Sequence, residues 1–245
     1  MSPIYAIGDI HGELGMLEHA LDLVEADGGT EALTIFLGDY VDRGPYSRNV
    51  LDLLISGQKL GRNWVFLKGN HDRMFEWFLQ TPSRIDPNLF IDLSWLHERL
   101  GGKNTLMSYG IDFSERYRLN ALHTAALSAV PDKHSKFLAS CKLSYETDDI
   151  FFCHAGVRPE VELSKQSEED LLWIREEFHN YIGRHSKLIV HGHTPIEKAT
   201  HYTNRVNLDS GSGYGKGKFL TAVVFEGTKC YSLNPIGRVQ LLPTK

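Results

Sequence analysis

Five short apolar runs in this chain each stop at side chains of the kind that bind metal ions. Ile4-Tyr5-Ala6-Ile7 runs into Gly8-Asp9-Ile10-His11-Gly12, and Leu33-Thr34-Ile35-Phe36-Leu37 into Gly38-Asp39-Tyr40-Val41-Asp42-Arg43-Gly44. Trp64-Val65-Phe66-Leu67 leads to Gly69-Asn70-His71-Asp72. Ile150-Phe151-Phe152-Cys153 leads to His154-Ala155-Gly156, and Leu188-Ile189-Val190 to His191-Gly192-His193-Thr194-Pro195. Short apolar runs bounded by turn residues read as buried strands. Between the first three runs, Leu14, Leu17, Leu21 and Val24 recur at a helical period, and Asn49 to Ile55 also reads as a helix. The resulting β-α-β-α-β order packs helices on a sheet with a parallel portion. In such α/β sheets ligands bind outside the carboxyl ends of the strands, where loops converge. Five separate loops carrying Asp, His and Asn can therefore meet at one place, and their glycines let the backbone turn sharply.

Residues from about 73 to 147 differ in texture. Helical patterns such as Ile91 to Leu100 and Leu119 to Val130 are broken by Pro82, Pro87, Gly101-Gly102 and Pro131. This reads as a helical insertion covering one side of the sheet. Glu168 to Tyr181 is expected as one helix, carrying Leu171, Leu172, Ile174 and Phe178. The final runs, Val206 to Leu208, Leu220 to Phe225, Cys230 to Leu233 and Val239 to Leu242, are expected as a strand meander. With no internal repeat or low-complexity linker, one domain over residues 1–245 with an insertion is the simplest account.

Composition excludes several classes of function. A formal net charge of −5 gives no basic footprint for nucleic acid. No run approaches the roughly 20 apolar residues that span a bilayer, and Asp9 follows the N-terminus too soon for a secretory leader. Cys141, Cys153 and Cys230 lack zinc-finger spacing, so reduced, buried thiols in a cytoplasmic protein are expected.

Carboxylates and imidazoles together suit borderline divalent ions such as Mn, Fe or Zn better than Ca or Mg; the ligand types do not choose among the three, and Mn is taken as the first expectation. One Asp has to bridge two such ions, and Asp39 lies between the two ligand groups. Two ions about 4 Å apart clamp a phosphoryl group for in-line displacement.

The motifs GDIHG, GDYVDRG, GNHD, HAG and GHTP, in this order and spacing, resemble the phosphoprotein phosphatase (serine/threonine phosphatase) branch of the calcineurin-like metallophosphoesterases, of the bacterial type. The resemblance covers essentially the whole chain. It implies a β-sandwich of mixed sheets flanked by helices. It implies that Asp9, His11 and Asp39 hold one metal, and that Asp39, Asn70, His154 and His193 hold the other. His71 would be the general acid, oriented by Asp42, and Arg43 would grip phosphoryl oxygens. Arg175 looks like a second phosphate-binding arginine, Lys68 stands where many relatives carry an arginine, and Tyr214 would border the cleft. His191 is expected behind His193, outside the ligand set. The implied activity is hydrolysis of phosphomonoesters, on a phosphorylated protein or a small phosphoester, by direct attack of a hydroxide bridging two metals. The alternative is a diadenosine tetraphosphate hydrolase, which an aromatic, positive pocket in the insertion favours.

Overall fold

The computed structural model describes residues 2–113 and 118–244; residues 114–117, within the expected insertion, lie outside it, as do the two terminal residues. Strands β1 (Ile4–Ile7), β2 (Leu33–Phe36) and β3 (Trp64–Phe66) pair in parallel, with helices α1 (Leu14–Gly28) and α2 (Ser47–Lys59) crossing between them. The chain then forms α3 (Asn70–Gln80), α4 (Gly102–Ser108), α5 (Leu119–Ala129) and α6 (Asp132–Ser140). A second sheet follows from β4 (Ser144–Glu146) and β5 (Ile150–Cys153), then α7 (Glu168–Trp173), α8 (Glu176–His179), β6 (Leu188–His191), β7 (Thr200–His201) and β8 (Arg205–Asn207). Finally β9 (Ala222–Glu226), β10 (Lys229–Asn234) and β11 (Gly237–Leu241) return to the first sheet.

The two sheets have strand orders β11-β10-β9-β1-β2-β3 and β4-β5-β6-β8-β7. Both are mixed: β1-β2-β3 and β5-β6-β8 are parallel, and the flanking strands are antiparallel. Alternation along each strand sorts side chains into layers. Ala6, Ile35, Ile150, Phe152, Val190, Val206, Val223 and Phe225 fill the space between the sheets. Their neighbours Tyr5, Ile7, Phe36 and Val224 meet Leu17, Val24, Val50 and Leu54 from the helices on the outer face. On the far side Phe151, Cys153 and Ile189 pack against Leu171, Ile174 and Phe178. The expected β-sandwich of mixed sheets flanked by helices is therefore the fold observed.

Three expectations need correction. Ile91 to Leu100 is not helical: it is a string of isolated turns, with Phe90 and Ile91 exposed and only Trp95 buried. Tertiary contacts of Trp95, described below, set its path in place of helical periodicity. The helix expected from Glu168 breaks at Ile174-Arg175, because Ala155 N–H donates to the Leu171 carbonyl that the next turn would have used. The C-terminal meander comprises only β9, β10 and β11, since β8 belongs to the other sheet. The insertion is part of the main core: Phe75, Phe78, Trp95, Leu106, Leu122 and Phe137 share one cluster with α1 and α2. All three cysteines are buried and free.

Phe152 is fully buried between the sheets, with its ring edge-on to Phe225 at 5.9 Å. Phe152→Ala is expected to cost about 3–5 kcal/mol through lost transfer energy and a cavity, measured by denaturant unfolding with little change in slope.

Candidate metal centre

Six parallel strands, three from each sheet, deliver this site at their carboxyl ends. The loop after β1 carries Asp9 and His11, that after β2 carries Asp39, Asp42 and Arg43, and α3 begins with Asn70 and His71 directly after β3. His154 follows β5, His193 follows β6, and Asp209 follows β8. The turns are tight enough to force unusual backbone. His11, Asp39, Asp42, Arg43 and His193 all have positive φ, between 49° and 74°. Such left-handed conformations are uncommon in residues with side chains and cluster at functional sites. Glycines permit the remaining close approaches: a Cβ on Gly192 would overlap Asp9 Oδ1, and one on Gly69 would overlap Asp39 Oδ1.

The loops are stitched together by carboxylates. Asp72 accepts from Gly69 N–H at 2.8 Å, which caps α3, and also from the Asp39 and Tyr40 N–H groups at 2.8 and 2.9 Å. Asp39 Oδ1 returns the tie by accepting His71 N–H at 3.0 Å, and Asp9 Oδ2 accepts His193 N–H at 2.9 Å.

Two groups of donors result, Asp9-Asp39-His154 and His11-Asp39-His71, with Asp39 common to both. His11 and His154 donate through Nδ1 to the Val41 and Leu37 carbonyls, each at 2.9 Å. Those bonds fix the tautomer, so each Nε2 presents a lone pair inward. His154 Nε2 then faces Asn70 Oδ1 at 2.9 Å and Asp39 Oδ2 at 3.5 Å. His11 Nε2 is 3.4 Å from the same Asp39 oxygen, and His193 Nδ1 is 3.0 Å from Asn70 Oδ1. Acceptors facing acceptors at these distances call for a cation among them. Asp9 Oδ1 is buried with no hydrogen-bond partner among the described residues.

Electrostatics agree with that reading. Burial, with Asp209 and Asp39 close by, pushes the Asp9 carboxyl far up, and burial likewise raises Asp39. Burial holds His11 and His193 well below the usual imidazole range and lowers His154 to about 4. Neutral imidazoles and crowded carboxylates form a donor set that a pair of divalent ions fits.

Asp42 lies beneath the centre, fully buried. It accepts His71 Nδ1–H at 2.6 Å, Trp95 Nε1–H at 2.8 Å and Thr105 Oγ1–H at 2.6 Å. Burial raises its pKa, while the Thr105 and Trp95 bonds oppose the rise. His71 is held toward its neutral form by burial and by Arg43. With Nδ1 committed to Asp42, Nε2 is the ring nitrogen that faces the centre. Arg43 contacts His71 Nε2 at 3.1 Å, touches His11 Nε2, and stacks its guanidinium 4.3 Å from the centre of the Tyr214 ring.

The other sequence candidates fall differently. Tyr214 is half-exposed beside Arg43, with its ring 6.5 Å from that of His11. Arg175 sits at the break between α7 and α8, within electrostatic reach of Tyr214, Asp209 and Asp39. Lys68 is paired with Glu76 at 2.6 Å. His191 is buried behind His193, bonded to the Gly192 carbonyl and to Arg205. Sequence reasoning missed Asp209, although Leu208-Asp209 repeats the strand-then-Asp signal of the first two motifs. It also missed Trp95, Thr105 and Asn104, whose side chain donates to the Arg43 carbonyl; nothing local marks them. A cavity of about 440 Å³ adjoins the centre, lined by Arg43, Glu98, Arg99, Gly101, Asn104, Gly213 and Tyr214.

The chain matches the calcineurin-like phosphoesterase family over residues 2–225, and it belongs to that family. It is 25% identical to the asymmetrical bis(5'-nucleosyl)-tetraphosphatase PrpE of Anoxybacillus flavithermus over 236 residues, covering 85% of each chain. A crystal structure of a candidate diadenosine tetraphosphatase superposes with a TM-score of 0.64 at 22% identity, covering 98% of this chain and 94% of that one. The cold-active protein-tyrosine phosphatase of a psychrophilic Shewanella species gives 0.61 at 16% identity, covering 99% and 81%. These likenesses make the chain a metallophosphoesterase hydrolase in fold and family. Among the described residues no helix is long and apolar enough to cross a membrane.

Because both donor groups share Asp39, Asp39→Asn is expected to lower Mn content from two ions per chain to fewer than one. His154→Ala is expected to remove one ion. Elemental analysis of Mn-restored, desalted protein checks both.

Proposed function

We propose that this member of the calcineurin-like phosphoesterase family hydrolyses dinucleoside polyphosphates of the bis(5'-nucleosyl)-tetraphosphate class. The observation that carries the reading is the pocket against Arg43. Its volume falls within the usual range for small-molecule sites, roughly 300–1,000 Å³, and it offers arginine and tyrosine side chains. A single phosphoryl group needs only the centre itself; a chain of phosphates ending in a nucleoside needs space beyond it. The name carried by relatives of matching length supports the same choice. The sequence motifs alone put a phosphomonoesterase of the serine/threonine phosphatase type first. That is now the second reading, because solved phosphatases of this fold are too dissimilar in sequence to speak for substrate.

In this reading Asp9, His11 and Asp39 would hold one divalent ion, and Asp39, Asn70, His154 and His193 the other, with Mn the first choice; His71, which also falls within a donor group with His11 and Asp39, is tied to Asp42 through Nδ1 and kept for proton transfer. When bound, the ions supply Lewis acidity and a water acidic enough to act at neutral pH. Arg43 binds the oxygens of the reacting phosphoryl group, a guanidinium fork matching them bidentately. Asp42 keeps the His71 ring fixed through Nδ1, with Trp95 and Thr105 holding Asp42 itself. In the net reaction one water adds to phosphorus and the bond to the bridging oxygen breaks. His71 Nε2 passes a proton to the departing nucleotide, and Asp42 stabilises the imidazolium form that does so.

With Mn-restored protein, kcat/KM is expected to be highest on diadenosine tetraphosphate, lower on p-nitrophenyl phosphate and lowest on a phosphoserine peptide. A preference for the peptide would move the function to the second reading. His71→Asn is expected to retain metal and to slow poor leaving groups by roughly 10²–10⁴-fold, with a much smaller loss on aryl phosphates. Equal losses on both would remove His71 from the proton-transfer role.

A further inference from the structure

We infer that Arg99 is the specificity-determining residue of this site, binding the phosphate next to the reacting one and so selecting polyphosphate chains over phosphomonoesters. The identity of the chain as a dinucleotide rests on the function proposed above; the phosphate subsite rests on four observations of its own.

First, the segment that carries Arg99 is fastened to the catalytic loop at both ends. Trp95 donates to Asp42 at 2.8 Å, with its ring stacked 5.3 Å from that of Phe75, and Asn104 donates to the Arg43 carbonyl. Second, the turn between them is seated on Arg43. Gly101 has φ 85°, and a Cβ there would overlap the Arg43 backbone. The backbone of the turn that follows Arg99 is thus held against the Arg43 backbone by packing. Third, the Arg99 guanidinium is uncommitted among the described residues. Its backbone N–H donates to His97 Nδ1 at 3.2 Å, but among the described residues its side chain has no carboxylate or carbonyl partner. By contrast Arg73, Arg158 and Arg238 are each clamped by carboxylates. Fourth, Arg99 and Arg43 line the same cavity. One fork therefore stands at the centre and a second lines the same cavity, an arrangement suited to successive phosphates of one chain.

Glu98 lines the cavity as well. Its carboxylate opposes an accumulation of free phosphate there and suits a ribose hydroxyl as acceptor, which gives the subsite a reason to prefer nucleotides over inorganic polyphosphate.

The test compares Mn-restored wild type with Arg99→Ala and Arg99→Lys in two assays. The first is the ratio of kcat/KM for diadenosine tetraphosphate to that for p-nitrophenyl phosphate. In Arg99→Ala it is expected to fall roughly 10- to 100-fold, the contribution of one charge-assisted bond, mainly through KM, with partial recovery in Arg99→Lys. The second is competitive inhibition of p-nitrophenyl phosphate hydrolysis by ATP and by inorganic phosphate. Arg99→Ala is expected to raise Ki for ATP by a similar factor and to move Ki for phosphate far less. If wild type ignores diadenosine tetraphosphate but ATP inhibition still depends on Arg99, the dinucleotide reading fails and the subsite stands. If the tetraphosphate is hydrolysed and neither the ratio nor the ATP inhibition responds to Arg99, the subsite is wrong and the function stands. An equal loss on all substrates and inhibitors would assign Arg99 a structural role and overturn the inference.

Discussion

The centre is organised by the burial of carboxylates close to one another. Asp9, Asp39 and Asp209 are each about 2% exposed, and each carboxyl is pushed upward by burial. Removing one charge from water costs several kcal/mol even after relaxation. Crowding them adds repulsion that only cations or protons can offset. The fold meets this cost locally with backbone N–H donors: His193 to Asp9, His71 to Asp39, and Gly211 to Asp209. The donors have to be aimed, which accounts for the left-handed backbone at His11, Asp39, Asp42, Arg43 and His193. Residues with side chains tolerate that conformation only where surrounding structure over-determines it. Two packed sheets with their parallel strand ends side by side provide that rigidity.

The insertion reaches the centre indirectly. It supplies Trp95 and Thr105 to Asp42, and Asn104 to Arg43, so the groups that orient His71 and Arg43 come from a segment remote in sequence. A second tie runs from α3 to α7. Arg73, almost fully buried two residues after His71, bonds Asp86, Glu168 and Glu169. That network ties down the start of α7, whose far end leads into Arg175. Replacing either partner of the buried Arg73–Asp86 pair leaves an uncompensated charge, which is costlier than the pair's net contribution. The loop after β2, the insertion and α7 are therefore mechanically one unit. Chemistry at the centre and the shape of the adjoining cavity depend on the same contacts.

The five strand-end motifs were legible in the sequence because each is local. Apolar period marks the strand, glycine permits the turn, and the ligand-type residue follows at once. From these alone come the parallel β-α-β core, the family, and the convergence of Asp9, Asp39, Asn70, His154 and His193. What the sequence could not order was anything set by partners far along the chain. Ile91 to Leu100 has the apolar content of a helix but follows the indole of Trp95 to Asp42. Glu168 to Tyr181 has helical periodicity but loses it where Leu171 gives its carbonyl to Ala155. Asp209 carries the right local signal, but the apolar pattern of β8 reads as part of the C-terminal meander, whereas it pairs with β6. Backbone hydrogen bonds and periodicity act over a few residues and are written in consecutive positions. The wall of the cavity and the support beneath His71 are decided by contacts between segments remote in the chain, and the sheet to which β8 belongs by its pairing with β6; only the packed tertiary structure determines which groups meet.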